Sequence, residues 1–268
     1  MTFKLGYCSI HWKNPDLEPA LEALKEAGWD GWEGRLPLNW LGTPQYVRRI
    51  CENVDMPLAI FTAAGSPDNR SHENSELNKR RIDFATEVGA DCFMYMNGDK
   101  PAGRVVNNDD LKVAAEGAEM WADYAAQYNL EISYHIHTNL LVDSSEHWKI
   151  YMGYLNKAKL CIDVSHSHLW GYDPVESIRD FKDHLNYIHL QDYTSYTQHE
   201  DGFHDPVWCA VGEAEACDFP AIAAVLKEIN YDRWVTGCPG APQPEKEDAL
   251  SMAESSQSMC TYMRRVGY

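Results

Sequence analysis

The sequence predicts an α/β chain folded as a single-domain (β/α)8 TIM barrel, and three observations point to it. Short apolar runs alternate with amphipathic stretches eight times, which calls for a parallel sheet. The length of 268 residues accommodates the roughly 250 that such a barrel needs. Ionisable residues collect where consecutive strands should end, the rim at which barrels of this kind carry their chemistry.

Taken in order, Lys4 to Ser9 is the first strand, and Leu17 to Ala27 is a helix with Leu17, Leu21 and Leu24 on one face, closed by Gly28. Trp29 to Glu33 is the second strand and Thr43 to Asn53 its helix. Pro57 to Ala63 and a helix from about Ser75 to Val88 make the third unit, Cys92 to Asn97 and Asp110 to Tyr128 the fourth. Glu131 to His137 is followed by a helix at Glu146 to Tyr154, and Leu160 to Val164 by one at Pro174 to Phe181. Tyr187 to Leu190 is the seventh strand. Thr194 to Ala216 reads as a long loop, too long for a plain connector and so a lid or wall. Asp218 caps a helix from Phe219 to Ile229, Trp234 to Gly237 is the eighth strand, and a helix from about Glu247 to Arg265 ends the chain. No repeat or linker suggests a second domain over residues 1–268.

Forty-four per cent hydrophobic and 24% charged residues are those of a globular chain with a sizeable core. The excess of 41 acidic over 23 basic residues, a formal charge of -18, repels phosphate backbones and anionic membranes and disfavours nucleic-acid and membrane partners. No long apolar run marks a signal peptide or membrane span. The eight cysteines contain no CxxC pair and read as reduced thiols of a cytoplasmic protein, mostly small core residues.

The strand ends hold Glu33, His135 and His137, Asp163 and His166, His189 and Asp192, and Cys238. Any one of these has even odds of a capping or core role. Together, imidazoles and carboxylates on three consecutive strands form the usual donor set for first-row divalent metals. His135 and His137 are two apart and share a side of an extended strand; both could bind metal, or one bind while the other acts as acid or base.

At these residues the chain resembles the xylose-isomerase-like superfamily of sugar isomerases and epimerases, in the branch containing inosose dehydratases. The resemblance spans nearly the whole chain. It rests on Gly28-Trp29-Asp30-Gly31-Trp32-Glu33, Tyr134-His135-Ile136-His137, Asp163-Val164-Ser165-His166, His189-Leu190-Gln191-Asp192, Val211-Gly212-Glu213 before Asp218-Phe219-Pro220-Ala221-Ile222, and Met263-Arg264-Arg265-Val266-Gly267-Tyr268. It implies one divalent metal, Mn, Mg, Co or Zn, held by Glu, Asp, His and Glu from strands five to eight. By position Asp163 and His189 fill two corners, whereas the glutamate corners fall on His135 and Cys238. Those glutamates serve as paired acid and base in the family's epimerases, so their replacement disfavours two-carboxylate epimerisation.

The expected chemistry is then proton abstraction from a keto sugar, cyclitol or keto-glycoside, giving isomerisation or β-elimination of the dehydratase or lyase type. His135, Asp163, His189 and Cys238 are the expected metal set, His137 or His166 the expected base, and Glu33 a third catalytic candidate. Trp12, Trp40, Trp170 and Trp208 are loop candidates for stacking on a sugar, with loop packing the equal alternative for each. Three further readings stay open: an epimerase with an altered metal site, a metal-dependent hydrolase or endonuclease, and a non-catalytic barrel. The barrel would be a homo-oligomer or one subunit of a heteromeric complex, a choice the sequence leaves open.

Overall fold

The computed structural model describes residues 2–64, 72–200, 202–240 and 248–268. Eight parallel strands close into a barrel: β1 (Lys4–Cys8), β2 (Gly31–Gly34), β3 (Leu58–Thr62), β4 (Cys92–Tyr95), β5 (Glu131–His135), β6 (Lys159–Asp163), β7 (Leu185–Leu190) and, last in sequence, β10 (Trp234–Gly237). The seam joins the first strand to the last, with Lys4 opposite Trp234 and Gly6 opposite Thr236. The long helices lie outside, among them α1 (Leu17–Glu26), which buries Leu17, Ala20, Leu21 and Leu24 as its apolar spacing requires.

The chain between Thr194 and Ala216, expected from sequence to be a long loop serving as a lid or wall, is not loop throughout. It contains an antiparallel hairpin, β8 (Asp192–Gln198) with β9 (His204–Cys209), standing on the end of β7. Its strands read Asp-Tyr-Thr-Ser-Tyr-Thr-Gln and His-Asp-Pro-Val-Trp-Cys, with mostly exposed residues and a proline, so no alternating apolar face announces them. Two short helices also escape the sequence pattern, α2 (Leu38–Leu41) and α7 (Val164–Leu169). The terminal helix is two, α10 (Ala249–Ser255) and α11 (Gln257–Val266), divided at Ser256; Glu247, its expected start, lies outside the described residues.

Strand alternation builds the barrel interior in layers. A lower cluster contains Ala59, Ile60, Cys92, Met94, Cys161, Tyr187 and Trp234. Two residues further along their strands from Cys161, Tyr187 and Trp234 stand Asp163, His189 and Thr236. Gly6 provides the room for this layering: a Cβ there would lie 2.5 Å from Thr236 Oγ1, itself 2.5 Å from the Tyr187 hydroxyl.

The Gly28-to-Glu33 motif acts at nearly every position. Gly28 ends α1 at φ +97°, Trp29 donates from Nε1 to Ser256 Oγ (2.8 Å), and Asp30 Oδ2 accepts from the Leu5 N–H (2.7 Å) and from Arg264 (2.5 Å). Arg264 also donates to the Phe3 carbonyl (2.8 Å), so the closing Met-Arg-Arg segment ties the C-terminus across the foot of the seam. Trp32 is fully buried, and Glu33 reaches the upper layer.

Gly31 permits strand closure. A Cβ there would lie 2.6 Å from the Trp234 ring and 2.7 Å from the Pro57 carbonyl oxygen, which is backbone and cannot turn aside. Gly31→Ala is therefore expected to lower unfolding free energy by about 1–3 kcal/mol, read from urea denaturation; an unchanged midpoint would show that the β2–β3 spacing gives way freely.

Candidate active site at the carboxyl rim of the barrel

Asp163 ends β6 and caps α7. Its Oδ1 accepts from the backbone N–H groups of Ser165 (3.0 Å) and His166 (3.3 Å), which fixes the carboxylate and directs Oδ2 at three imidazoles. His189 Nδ1 is 2.8 Å from Oδ2, His135 Nε2 3.4 Å and His166 Nε2 3.9 Å. Asp163 is fully buried. Burial alone would raise its pKa, but the surrounding histidines hold it well below the ordinary carboxylate range.

His189 stands between two carboxylates. Nδ1 meets Asp163, and Nε2 lies 3.5 Å from Glu33 Oε2. Burial works against its charged form, yet Glu33 and Asp163 raise it to about 10. Glu33 is paired in turn with Arg35, Nε to Oε1 at 2.5 Å; that cation and His189 overcome burial and keep the Glu33 carboxylate ionised. The four groups form an alternating row of buried charges, Asp163, His189, Glu33 and Arg35. By contrast, burial lowers His135 to about 3 and lowers His137 and His166 as well, so these three rings are neutral.

Hydrogen bonds fix the tautomers of two of them. The Thr138 N–H donates to His166 Nδ1 (3.3 Å), leaving the His166 proton on Nε2, the nitrogen that faces Asp163. His137 Nδ1 donates to the Thr138 carbonyl (2.6 Å), so Nε2 carries its lone pair. The strand ends at His135, and His137 lies just beyond it, its ring 4.0 Å from that of His166 and partly exposed. Of the four loop tryptophans, Trp208 meets the cluster, edge-on to His166 at 5.2 Å; Trp12 stacks on Trp32 and Trp170 packs against Trp148.

The expected four-residue metal set divides at His189. His135 Nε2, Asp163 Oδ2 and His189 Nδ1 are mutually 2.8 to 3.4 Å apart, close to the edge of about 3.3 Å expected for donors at about 2.0 Å in a tetrahedral site. These residues fit a divalent cation, whose binding would displace the proton on His189 Nδ1. Cys238 lies on the other side, its Sγ 3.1 Å from His189 Nε2 and 3.8 Å from Nδ1. There it groups with Cys8, whose Sγ donates to Glu33 Oε1 (3.3 Å).

Cys8 and Arg35 are the residues that sequence reasoning missed. Cys8 was read as one of eight scattered core thiols, although it ends the first strand, two residues past Gly6, and so belongs to the same layer as Glu33. Arg35 follows Glu33 by two and carries the same signal.

Asp192, another strand-end candidate, does structural work. Its two oxygens accept from the N–H groups of Tyr193, Gly212, Ala214, Glu215 and Ala216, at 2.8 to 3.1 Å. The Val211-Gly212-Glu213 motif is wrapped around this carboxylate, with Gly212 at φ +90° against the Tyr262 ring.

Residues 21–259 match the family described as xylose isomerase-like TIM barrel. The chain belongs to that family. It is 23% identical to an inosose dehydratase of Lacticaseibacillus casei over 273 aligned positions, covering 88% of this chain and 89% of that enzyme. The inosose dehydratase of Geobacillus kaustophilus is 26% identical, with 87% and 86% covered. Among solved structures, the IOLI protein with a bound zinc atom superposes with a TM-score of 0.76 at 18% identity, covering 98% of each chain. The 3-keto-D-glucoside 4-epimerase YcjR of E. coli gives 0.73 at 17%, covering 98% of this chain and all of its own. No described helix is long and apolar enough to cross a membrane.

The cluster dictates a pH dependence for the metal-free protein. His189 keeps its proton in the fold up to about pH 10 and in the unfolded chain only up to about 6.5, so its contribution is full below 6.5 and is lost as pH rises toward 10. His135 runs the other way: its contribution is full above 6.5 and is lost as pH falls toward 3, because the unfolded chain takes up the proton first. Denaturant titrations under chelator should show His189→Gln flattening the alkaline limb and His135→Gln the acid limb, each by up to about 1.4 kcal/mol per pH unit. An alkaline limb unchanged by His189→Gln would mean that the ring is neutral.

Asp192→Asn removes the charge and one acceptor oxygen from five donors. With charged hydrogen bonds contributing about 1.5–3 kcal/mol, amide exchange over residues 210–216 should accelerate at least tenfold; unchanged protection would remove Asp192 as the organiser of that loop.

Proposed function

We propose that the protein is a sugar-processing enzyme that removes a proton beside the carbonyl of a keto sugar, cyclitol or keto-glycoside, leading to isomerisation or to β-elimination of the dehydratase or lyase type. The observation that carries this reading is the pairing of a buried His135–Asp163–His189 donor triad with a neutral His137 whose Nε2 lone pair is free to act as base. The inosose dehydratases and the keto-glucoside epimerase among its relatives support a small carbohydrate or cyclitol as substrate.

His135 Nε2, Asp163 Oδ2 and His189 Nδ1 would hold the cation. A divalent metal bound there supplies Lewis-acid polarisation of the substrate carbonyl. Zinc bound to a related barrel supports such a cofactor. The residues divide the remaining work. His137, neutral because of burial and oriented by the Thr138 carbonyl, takes the proton on Nε2. His166, committed at Nδ1 to Thr138 and facing Asp163 through Nε2, packs against the base and holds it in place. Glu33 Oε2 faces His189 Nε2 at 3.5 Å on the side away from Asp163 and favours its charged form electrostatically. Trp208 offers a partly exposed indole beside His166 as a wall for a sugar face.

Incubating candidate keto sugars and inososes with the metal-loaded protein in D₂O tests this. Deuterium should enter at one α-carbon, and His137→Ala should slow its entry by about 10²-fold or more without changing bound metal. Failure of every such compound to exchange would overturn proton abstraction, and an unimpaired His137→Ala would move the base elsewhere.

A further inference from the structure

Across the His189 ring from Asp163 lie two thiols, Cys8 and Cys238, that the proton-transfer reading leaves idle. Cys8 Sγ, Cys238 Sγ and a ring nitrogen of His189 lie within 4.8 Å of one another. His189 Nε2 is the nitrogen turned to this side, 3.1 Å from Cys238 Sγ and 3.5 Å from Glu33 Oε2. Cys8 Sγ is 3.3 Å from Glu33 Oε1.

The residues come from β1, β2, β7 and the end of β10, and strand pairing across the seam places them together, with Cys8 opposite Glu33 and Tyr7 opposite Gly237. A tetrahedral zinc with bonds of about 2.0 Å to nitrogen and about 2.3 Å to sulfur has N–S edges of about 3.5 Å and S–S edges of about 3.8 Å. Cys238 Sγ and His189 Nε2, 3.1 Å apart, are near that N–S edge, and all three donors fall within 4.8 Å of one another. A second observation is independent of the thiols: Glu33 Oε2, on a fully buried side chain, has no hydrogen-bond partner.

We infer that Cys8, Cys238 and His189 Nε2 form a buried thiolate site for a zinc-like divalent cation, separate from the position around Asp163, with the Glu33 carboxylate beside it. Binding releases both thiol protons and the Nε2 proton to solvent, and the two thiolates neutralise the dication without any change of oxidation state. Thiolate and imidazole select zinc or cobalt over magnesium and manganese. All four residues are at most 1% exposed, so this position excludes substrate and serves to hold metal and fasten the seam. With zinc on Nε2 and no cation at Asp163, the Nδ1–H of His189 keeps its bond to Asp163, the carboxylate–histidine–metal arrangement that orients zinc ligands.

X-ray absorption on the whole protein, dialysed against excess zinc, tests the site. Two sulfur neighbours at about 2.3 Å per bound zinc are expected if this site alone fills, and one sulfur per zinc on average if the Asp163 position fills too. Cobalt loading should give a near-ultraviolet thiolate-to-metal band that Cys8→Ser roughly halves, Cys8→Ser with Cys238→Ser abolishes and Asp163→Asn leaves in place. A zinc shell of nitrogen and oxygen only, or no zinc retained, overturns the inference, and neither reading needs a variant to fold. Sulfur ligation without α-deuteration would sink the proton-transfer proposal alone; α-deuteration without sulfur would sink this one alone.

Discussion

The imidazole of His189 is held from both sides, by Asp163 at Nδ1 and by Glu33 near Nε2, and the rest of the rim is arranged around that clamp. Two buried carboxylates facing only apolar walls would be forced to protonate. Here each is compensated, Asp163 by the histidines and two backbone N–H groups, Glu33 by Arg35. The neutrality of His135 and His166 follows from the same arrangement, since the charge that one carboxylate can stabilise in a buried site is already carried by His189.

Fold and site were legible to different depths. Alternating apolar runs are a long-range signal repeated eight times, and small errors at strand ends leave the barrel intact. The hairpin was invisible because burial is confined to its ends, at Asp192, Tyr193, His204 and Cys209, and imposes no alternation along its strands. At the rim, Asp163 and His189 stood out as charges at the ends of apolar strands, and the pairing of Asp163 with His189 followed. What could not be read was direction: one ring has two nitrogens, and only coordinates tell that Cys238 meets a different edge of His189 from His135. Arg35 and Cys8 were hidden because an arginine in a loop and a cysteine in a strand are ordinary until a neighbour from another strand gives them a role.

The two departures from the ligand pattern that the resemblance implies, His135 and Cys238, change the site in opposite senses. Histidine in place of a carboxylate keeps a hard-to-intermediate donor beside Asp163 while removing a negative charge. Cysteine at the other corner is drawn toward Cys8 and leaves the Asp163 side with three donors. In the proposed reaction the base is a residue outside the donor set, His137, which sits past the end of the strand with its ring partly open to solvent.

The seam between β1 and β10 also bears on how the chain matures during synthesis. Residues near the N-terminus leave the ribosome first, but Leu5, Gly6 and Tyr7 acquire their β10 partners only when residues 235–237 have emerged, and the Asp30 carboxylate meets Arg264 later still. Until then an incomplete sheet carries a free edge and leaves the Cys8 thiol open to water. The last few dozen residues therefore act as a fastening that protects the first, and a chain truncated before them would expose its chemistry to oxidation and its edge to other nascent chains.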